Sequence, residues 1–493
     1  MSVQLDEPPR CEIAGGRAGP GDLLALGFGT TVATWAVGYL GHMPLVRQPT
    51  AVLVGLMLGC LVAGGWAAGR YTRRGMLGGT WVGLISAALD LLIFGSLLAQ
   101  AGTGPSVPGV WLWIPGWFLL SITLAATGCA AGARRRARCK SQVSGLKSQI
   151  EEPGPNWTAA LAWVASAATV MLLAAGGLVT GFRAGMAVPD WPNTFRSNMF
   201  LYPLAQMTGG IFYEHAHRLL GTLAGAATLA LAVEMTLRLR PPTLSVGWHA
   251  LRKEGRGRPA KLVVLVWLLG TAVAVQGVFG GLRVVHDSHC LAVVHGFFAH
   301  AILGGLVAVA AMLSRIPPTR APPGTVAQRW SVWSAGFSRR RCPFAVLAVG
   351  AILLQTLLGT LVRQLNLGLL SHVMLAVGVV LTSLGAAIHA WRPSLGPPLA
   401  RRCGIALLLL LVVQIHLGLV AVVFRTPAVG ASPTSAALEA AGGRLPVEPL
   451  PALATTAHQT MAAVLLALAV VLAVWAWPAG PAKPQAALDR QNP

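Results

Sequence analysis

Apolar stretches of about 20 residues recur along the whole chain and constrain its fold more than any other feature. A helix of that length spans the roughly 30 Å hydrocarbon core of a membrane. Twelve such stretches are present in the 493 residues, so the sequence predicts an all-α polytopic membrane protein with about twelve transmembrane helices. The predicted helices cover residues 23–42, 51–69, 77–99, 111–132, 157–181, 209–236, 262–283, 291–313, 343–364, 370–390, 403–424 and 453–477.

The net charge of +22 indicates how the chain is oriented in the membrane, rather than a nucleic-acid partner. Only 11% of the residues are charged, and the basic ones cluster in alternate loops, as the positive-inside rule expects. The pattern predicts a multi-pass protein of the cell inner membrane, in contact with lipid, with both termini cytoplasmic and an uncleaved first helix. The basic loops are 70–74, 134–140, 238–261, 315–341 and 392–402.

The cysteines favour neither a disulfide framework nor a zinc site. None of them has C-x-x-C spacing, and only Cys290 is predicted near the outer face. The seven are Cys11, Cys60, Cys129, Cys139, Cys290, Cys342 and Cys403.

A basic loop at 134–156, rich in Ser, Gly and Pro, is the predicted boundary between an N-terminal module and eight further helices. The eight resemble an internal duplication: Gln276, Gly280 and the pair Val284-Val285 recur at the same offsets as Gln414, Gly418 and Val422-Val423. We therefore predict a four-helix module at 1–145 and two related four-helix bundles at 157–313 and 343–477.

Each predicted helix that enters the two bundles from the outer face has a histidine near its start. These are His217, His295, His372 and His458, and within the repeats His217 pairs with His295 and His372 with His458. An imidazole within hydrocarbon is costly unless it faces the bundle interior and has a partner. Heme between facing helices supplies that partner, since two neutral imidazoles ligate iron axially. One such histidine alone would suggest an interhelical hydrogen bond, but four in repeat-related positions predict metal ligands.

The two predicted heme sites differ in one carboxylate. Glu214 stands three residues before His217 and so shares its helical face, whereas Leu369 stands three before His372. A buried glutamate moves protons or stabilises a cationic intermediate, so the first site is predicted to be catalytic through Glu214. The alternative is that Glu214 only pairs with Arg218 at i+4.

Arginines at membrane depth complete the predicted sites. Arg218 in the first repeat and Arg363 in the second are predicted to bind heme propionates. The loop from Gly181 to Pro192, with its Pro-flanked Asp190-Trp191, is predicted to form a lid over the first heme, the alternative being a membrane-interface anchor.

Several polar residues have no assigned role. His286 and His289 suit a wet outer loop, with an accessory role at the heme edge left open, whereas His300 and His416 suit structural positions. Asp90, in the N-terminal module, is either functional or hydrogen-bonded inside the bundle. Two further features of that module, Gly55-x-x-x-Gly59 and Gly79-x-x-x-Gly83, favour close helix packing.

Residues 157 to 480 resemble the heme A synthase family. The resemblance implies two pseudosymmetric four-helix bundles, with heme b between His372 and His458 and the substrate heme O between His217 and His295. It further implies an oxidoreductase that converts a methyl group of heme O into the formyl group of heme A, with Glu214 catalytic. Implied partners are a heme O synthase, oxidase assembly factors and an electron donor. The matching residues are Gly177-Leu178-Val179-Thr180, Ala187-Val188-Pro189-Asp190-Trp191-Pro192, Glu214-x-x-His217-Arg218, Gln276-Gly277-x-x-Gly280-Gly281, His295, His372 and His458.

Two departures from the family and two rival functions accompany this expectation. Some members have a cysteine pair in the first outer loop, but residues 182–208 contain no cysteine, which puts thiol-based electron entry in doubt. The N-terminal module lies outside the family's usual extent. The rivals are a bis-histidine cytochrome that only transfers electrons from quinol, and a transporter with internal repeats.

Overall fold

Twelve long helices form the protein. The computed structural model describes residues 20–43, 46, 48–95, 110–142, 155–239, 257–315, 343–391, 398–424 and 448–476, and these contain no β-strand. All twelve helices are long and apolar enough to cross a membrane, which confirms an all-α, multi-pass membrane fold. They are α1 Gly21–Gly41, α2 Thr50–Tyr71, α3 Met76–Phe94, α4 Val110–Gln142, α5 Trp157–Gly181, α6 Gly209–Leu239, α7 Gly257–Val285, α8 His289–Ser314, α9 Pro343–Leu365, α10 Leu369–Trp391, α11 Pro398–Val423 and α12 Pro449–Ala476.

Several helices extend beyond the apolar stretches that predicted them. Helix α4 continues through the basic run 134–138, and α7 begins five residues before its predicted start. Hydropathy marks where the chain leaves hydrocarbon, but backbone hydrogen bonding can continue the helix into water. Helices α9, α11 and α12 each begin at a proline, which suits the first helical turn because its missing N–H has no acceptor there.

Helices α5 to α12 pack as two rings of four. In the first ring α5 contacts α6, α6 contacts α7, α7 contacts α8, and α8 returns to α5; helices α9 to α12 repeat this order. The rings meet where α5 and α8 contact α12 and where α8 contacts α9. In this arrangement α6 lies diagonally across from α8, and α10 across from α12, so the helices that carry the predicted ligands face each other through a bundle interior.

Helices α1 to α4 pack with one another, and α1 joins them to α5. Gly79 and Gly83 lie against the backbone of α4, as the sequence predicted, because a Cβ at Gly83 would stand 2.5 Å from the Ser121 carbonyl oxygen. The prediction for Gly55 and Gly59 is wrong, since nothing lies within 4 Å of a Cβ at either position. The α2–α4 contact instead uses Gly65 and Gly69 of α2.

Buried carboxylates in this part of the protein have identified partners. Asp22 at the start of α1 binds Arg74 through two hydrogen bonds of 2.7 and 2.9 Å. Asp90 accepts hydrogen bonds from the indole nitrogens of Trp35 at 2.8 Å and Trp117 at 3.2 Å. The Asp90 carboxylate therefore ties α3 to α1 and α4.

We predict that Asp90→Leu destabilises the protein without changing its heme content. The substitution removes an acceptor from the indole N–H of buried Trp35 and from that of partly buried Trp117, at a cost of about 1–3 kcal/mol for each hydrogen bond lost. Asp90→Asn retains a carbonyl acceptor and should lower the thermal unfolding midpoint less. Thermal unfolding in detergent, followed by tryptophan fluorescence, measures both. Unchanged stability combined with lost activity would instead assign Asp90 a functional role.

Candidate heme sites

The four predicted ligands form two pairs of facing imidazoles. His217 on α6 and His295 on α8 have ring centroids 6.4 Å apart, with their planes at 76°. His372 on α10 and His458 on α12 have ring centroids 6.3 Å apart at 71°. We refer to these as the first pair and the second pair. Their near-identical geometry in the two rings shows that the sequence repeat is also a spatial repeat.

The spacing within each pair suits a metal ion bound by both rings. A metal–imidazole bond is about 2 Å long, so two axial ligands place their ring centroids roughly 6 Å apart. In the part of the chain that the structure describes, no group of three or more His, Cys, Asp or Glu side chains is arranged to hold a metal ion. Two opposed donors without a third suit a metal whose equatorial positions belong to a macrocycle, as in bis-histidine heme. The donor set and spacing of both pairs therefore fit heme.

Each imidazole packs against a glycine on the preceding helix. A Cβ at Gly176 would lie 2.9 Å from Cε1 of His217, and one at Gly280 would lie 2.8 Å from Cε1 of His295. The corresponding distances at the second pair are 3.1 Å from Gly359 to His372 and 3.0 Å from Gly418 to His458. The structural repeat is therefore a helical hairpin that occurs four times, half the length of the repeat predicted from sequence.

In two of these hairpins a glutamine four residues before the glycine donates a hydrogen bond to the backbone of the histidine. The carbonyl oxygen of Gln276 lies 3.1 Å from Nδ1 of His295, and its side-chain amide donates to the His295 carbonyl oxygen at 2.7 Å. Gln355 donates to the His372 carbonyl oxygen at 2.8 Å. A hydrogen bond at Nδ1 fixes the ring and leaves Nε2 free for a metal.

The other three imidazoles keep a buried Nδ1 without a hydrogen bond of ordinary geometry. They nevertheless interact with the equivalent backbone positions, His217 with Leu172, His372 with Gln355 and His458 with Gln414. In the first hairpin Leu172 replaces the glutamine, which interrupts the sequence pattern.

We predict that Gly359→Val removes heme from the second pair. A Cβ at Gly359 is already in tight contact with His372, and the two methyl groups of valine would push the ring away. Such overpacking costs about 1–3 kcal/mol, or roughly a tenfold or greater loss of heme affinity. Gly350→Val is the matched control, because Gly350 faces open space on the opposite side of α9. Heme b content of the purified variants, measured by absorbance, distinguishes them; equal content would contradict the packing argument.

Glu214 and Arg218 clamp the segment 182–208, which we name the outer segment. Oε2 of Glu214 accepts hydrogen bonds from the backbone N–H groups of Ala187 at 3.1 Å and Val188 at 3.4 Å, and Oε1 accepts from Arg218 at 3.1 Å. Arg218 also donates to three carbonyl oxygens of the segment, those of Val188, Asp190 and Asn193. The predicted ion pair at i+4 is therefore present and forms part of a larger clamp.

The outer segment covers the first ring beside the first pair. Trp191 packs on α7 at Gly281, where a Cβ would lie 2.6 Å from the indole carbons Cε2 and Cε3. Asp190 accepts hydrogen bonds from the backbone N–H groups of Phe195 at 2.8 Å and Arg196 at 2.7 Å. Partial burial would raise the pKa of Asp190, but these hydrogen bonds outweigh it and hold the pKa below its usual value. Asp190 therefore stays ionised and keeps the turn closed.

A second histidine of α6 contributes to the same contact. His215 is buried, its Nδ1 lies 3.2 Å from the Thr194 hydroxyl oxygen, and its ring lies 5.3 Å from that of Tyr202. The sequence alone assigns no role to His215. His215 lies on the side of α6 that meets the outer segment. This contact can be recognised only when the position of the segment is known.

The second pair has a different environment. Arg363 donates to the Gly177 carbonyl oxygen at 2.8 Å and to Oε1 of Gln459, so it lies where α5, α9 and α12 meet. Its electrostatic interaction with His458 places it at the edge of the second pair. Leu369, the counterpart of Glu214, is partly exposed. Among the described residues, the carboxylate clamp therefore belongs to the first site alone.

Four further histidines considered in the sequence belong to neither pair. His286 and His289 are exposed near the α7–α8 connection, and exposed His416 contacts the Val412 carbonyl oxygen of its own helix at 2.7 Å. His300 is fully buried on α8, with Nδ1 2.8 Å from the Gly296 carbonyl oxygen.

The described cysteines are all free thiols. They are Cys60, Cys129, Cys290 and Cys403; Cys11 and Cys342, like most of the basic loops, lie outside the described residues.

No family model, no curated protein and no solved structure matches the chain.

Proposed function

We propose that the protein is a heme A synthase of the cell inner membrane, an oxidoreductase that converts a methyl group of heme O into the formyl group of heme A. The observation that carries the proposal is the presence of two imidazole pairs at the same iron-spanning distance, 6.4 and 6.3 Å between ring centroids. The resemblance of residues 157 to 480 to that family supplies the reaction. The basic loops favour an orientation with both termini in the cytoplasm.

In this proposal the two sites have different tasks. His217 and His295 hold the substrate heme O, and His372 and His458 hold a resident heme b. The iron porphyrins supply the redox chemistry when bound. We assign the substrate to the first pair because Glu214 neighbours that pair, whereas Leu369 occupies the equivalent place at the second pair.

The chain's own residues prepare the first site for proton transfer. Glu214 is 2% exposed, so its carboxylate is shielded from bulk water and able to exchange a proton with a substrate carbon or oxygen beside it. Arg218 holds the outer segment to α6, and Trp191 packs that segment on α7. Together these contacts exclude water from one side of the first pair, which strengthens the electrostatic interactions inside.

The test is heme extraction from cells that express this chain together with a source of heme O. We expect heme A to appear in the extract, and the purified protein to show a Soret band with bis-histidine heme b. A protein that binds heme b but yields no heme A would support the electron-transfer cytochrome. A colourless protein would support a transporter.

One observation favours the cytochrome as the second candidate function. Both oxygens of Glu214 already accept hydrogen bonds from the outer segment and Arg218, which is what a purely structural carboxylate would do. The Glu214 variants considered in the Discussion separate the two functions.

A further inference from the structure

Arg283 is a cation at the first site that the sequence analysis did not single out. It lies in the last turn of α7, three residues beyond Gly280, the glycine on which His295 packs. Its guanidinium lies against Gly185 of the outer segment, where a Cβ would stand 2.6 Å from Nη1, and it is near enough to the first pair to interact electrostatically with both imidazoles and with Glu214. Arg283 therefore lies at the edge of the first pocket, between the imidazoles and the outer segment.

The hydrogen bonds of Arg283 leave donors available. Nη2 of Arg283 donates to the Gly185 carbonyl oxygen at 3.1 Å; among the described residues no carboxylate oxygen lies within ion-pair distance of it, and Glu214 and Asp287 attract it only from farther away. Arg218 differs, because its two terminal nitrogens together contact three carbonyl oxygens and Glu214. Glu214 is itself engaged by Arg218 and two backbone N–H groups. The guanidinium with open donors at this pocket is that of Arg283.

A partly buried guanidinium within a membrane helix is costly unless an anion compensates it. The ligand that the proposed function assigns to this pocket has two propionate carboxylates, and a guanidinium binds a carboxylate through two parallel hydrogen bonds. We propose that Arg283, rather than Arg218, binds a propionate of the porphyrin held by the first pair. This inference rests on the proposed function and identifies the residue that orients its substrate.

The second site places its arginine on a different helix. Arg363 belongs to α9, whereas the helix equivalent to α7 in the second ring is α11, where Ala421 stands three residues beyond Gly418. In the first ring, the residue equivalent to Arg363 is Thr180 on α5. The arginines of the two pockets therefore lie on non-equivalent helices. At the first site a propionate bound by Arg283 would face α7 and the outer segment, so Arg283 would select one rotational orientation of the substrate.

The experiment compares heme O with its dimethyl ester, in which both propionates lose their charge. Each is titrated into the purified protein containing heme b, and binding is followed by the Soret shift. We expect the wild-type protein to bind the diacid about tenfold or more tightly than the diester, as a charge-assisted hydrogen bond would give. Arg283→Gln should bind both forms equally, at the wild-type affinity for the diester. Arg183→Gln, at an exposed arginine of the same outer segment, should behave like the wild type.

The outcomes separate this inference from the proposed function. If the wild type binds and oxidises heme O and Arg283→Gln keeps the full preference for the diacid, the inference is wrong and the proposed function stands. If the wild type does not bind heme O, both are wrong. Retained heme b shows that the Arg283→Gln protein is folded. If Arg283→Gln does not fold, Arg283→Lys is tested in its place. A reduced preference of Arg283→Lys for the diacid supports the inference, and a wild-type preference overturns the inference.

Discussion

Replacement of His217 by alanine should remove half of the bound heme and abolish heme A formation. His217 and His295 face each other 6.4 Å apart, so the loss of either ring would leave only one imidazole to hold heme at the first site. The second pair lies in a separate ring of helices with its own glycine contacts, so it should retain heme b. We expect product formation to fall by about 10²-fold or more.

The reciprocal variant makes this prediction specific. His458→Ala should remove heme b and leave heme O binding at the first site intact, because the two imidazole pairs lie in separate rings of helices. His416→Ala serves as the control, since that ring is exposed and its Nδ1 contacts only the Val412 carbonyl oxygen of the same helix. Heme O and heme b in each purified variant are quantified by chromatography of the extracted hemes. Equal loss of both hemes in every ligand variant would show that the two sites are not independent.

The sequence predicted the helices and the paired histidines because both depend on strong local signals. A stretch of twenty apolar residues in a membrane has few alternatives to a transmembrane helix, and an imidazole within the membrane needs a polar partner. The contacts between the glycines and the paired histidines could be predicted from the sequence only in part. Gln276 and Gly280 were recognised as a repeated pattern, but their common function, contact with the same histidine, requires the neighbouring helix to be in place.

The errors and omissions have a common physical origin. Gly55 and Gly59 have the spacing of a packing surface, but spacing does not determine which side of α2 meets another helix. The sequence predicts that Arg218, at membrane depth, binds a propionate, but it does not show that the outer segment also accepts hydrogen bonds from Arg218. Arg283 lies 65 residues after Arg218, and only the packing of α7 against α6 and α8 brings it to the same pocket.

Glu214→Gln should retain heme O at the first site while reducing heme A formation by about 10²–10⁴-fold, the usual contribution of a positioned acid or base. The amide keeps one oxygen for the backbone N–H groups of Ala187 and Val188, so the outer segment should stay in place. The amide does not exchange protons as a carboxylate does, so the loss should fall on the chemical step. Heme O bound per protein and heme A formed are measured on the same preparation.

Arg218→Gln distinguishes proton transfer from clamping. Arg218 makes three hydrogen bonds to the outer segment and one to Glu214, so its removal loosens the segment while leaving the carboxylate at the site. If Glu214 acts in the chemistry, Glu214→Gln loses far more activity than Arg218→Gln, although Arg218→Gln exposes the segment more to protease. If Glu214 only holds the segment, activity in both variants falls in proportion to protease sensitivity. That proportionality would leave the electron-transfer cytochrome as the better account of a protein with two imidazole pairs.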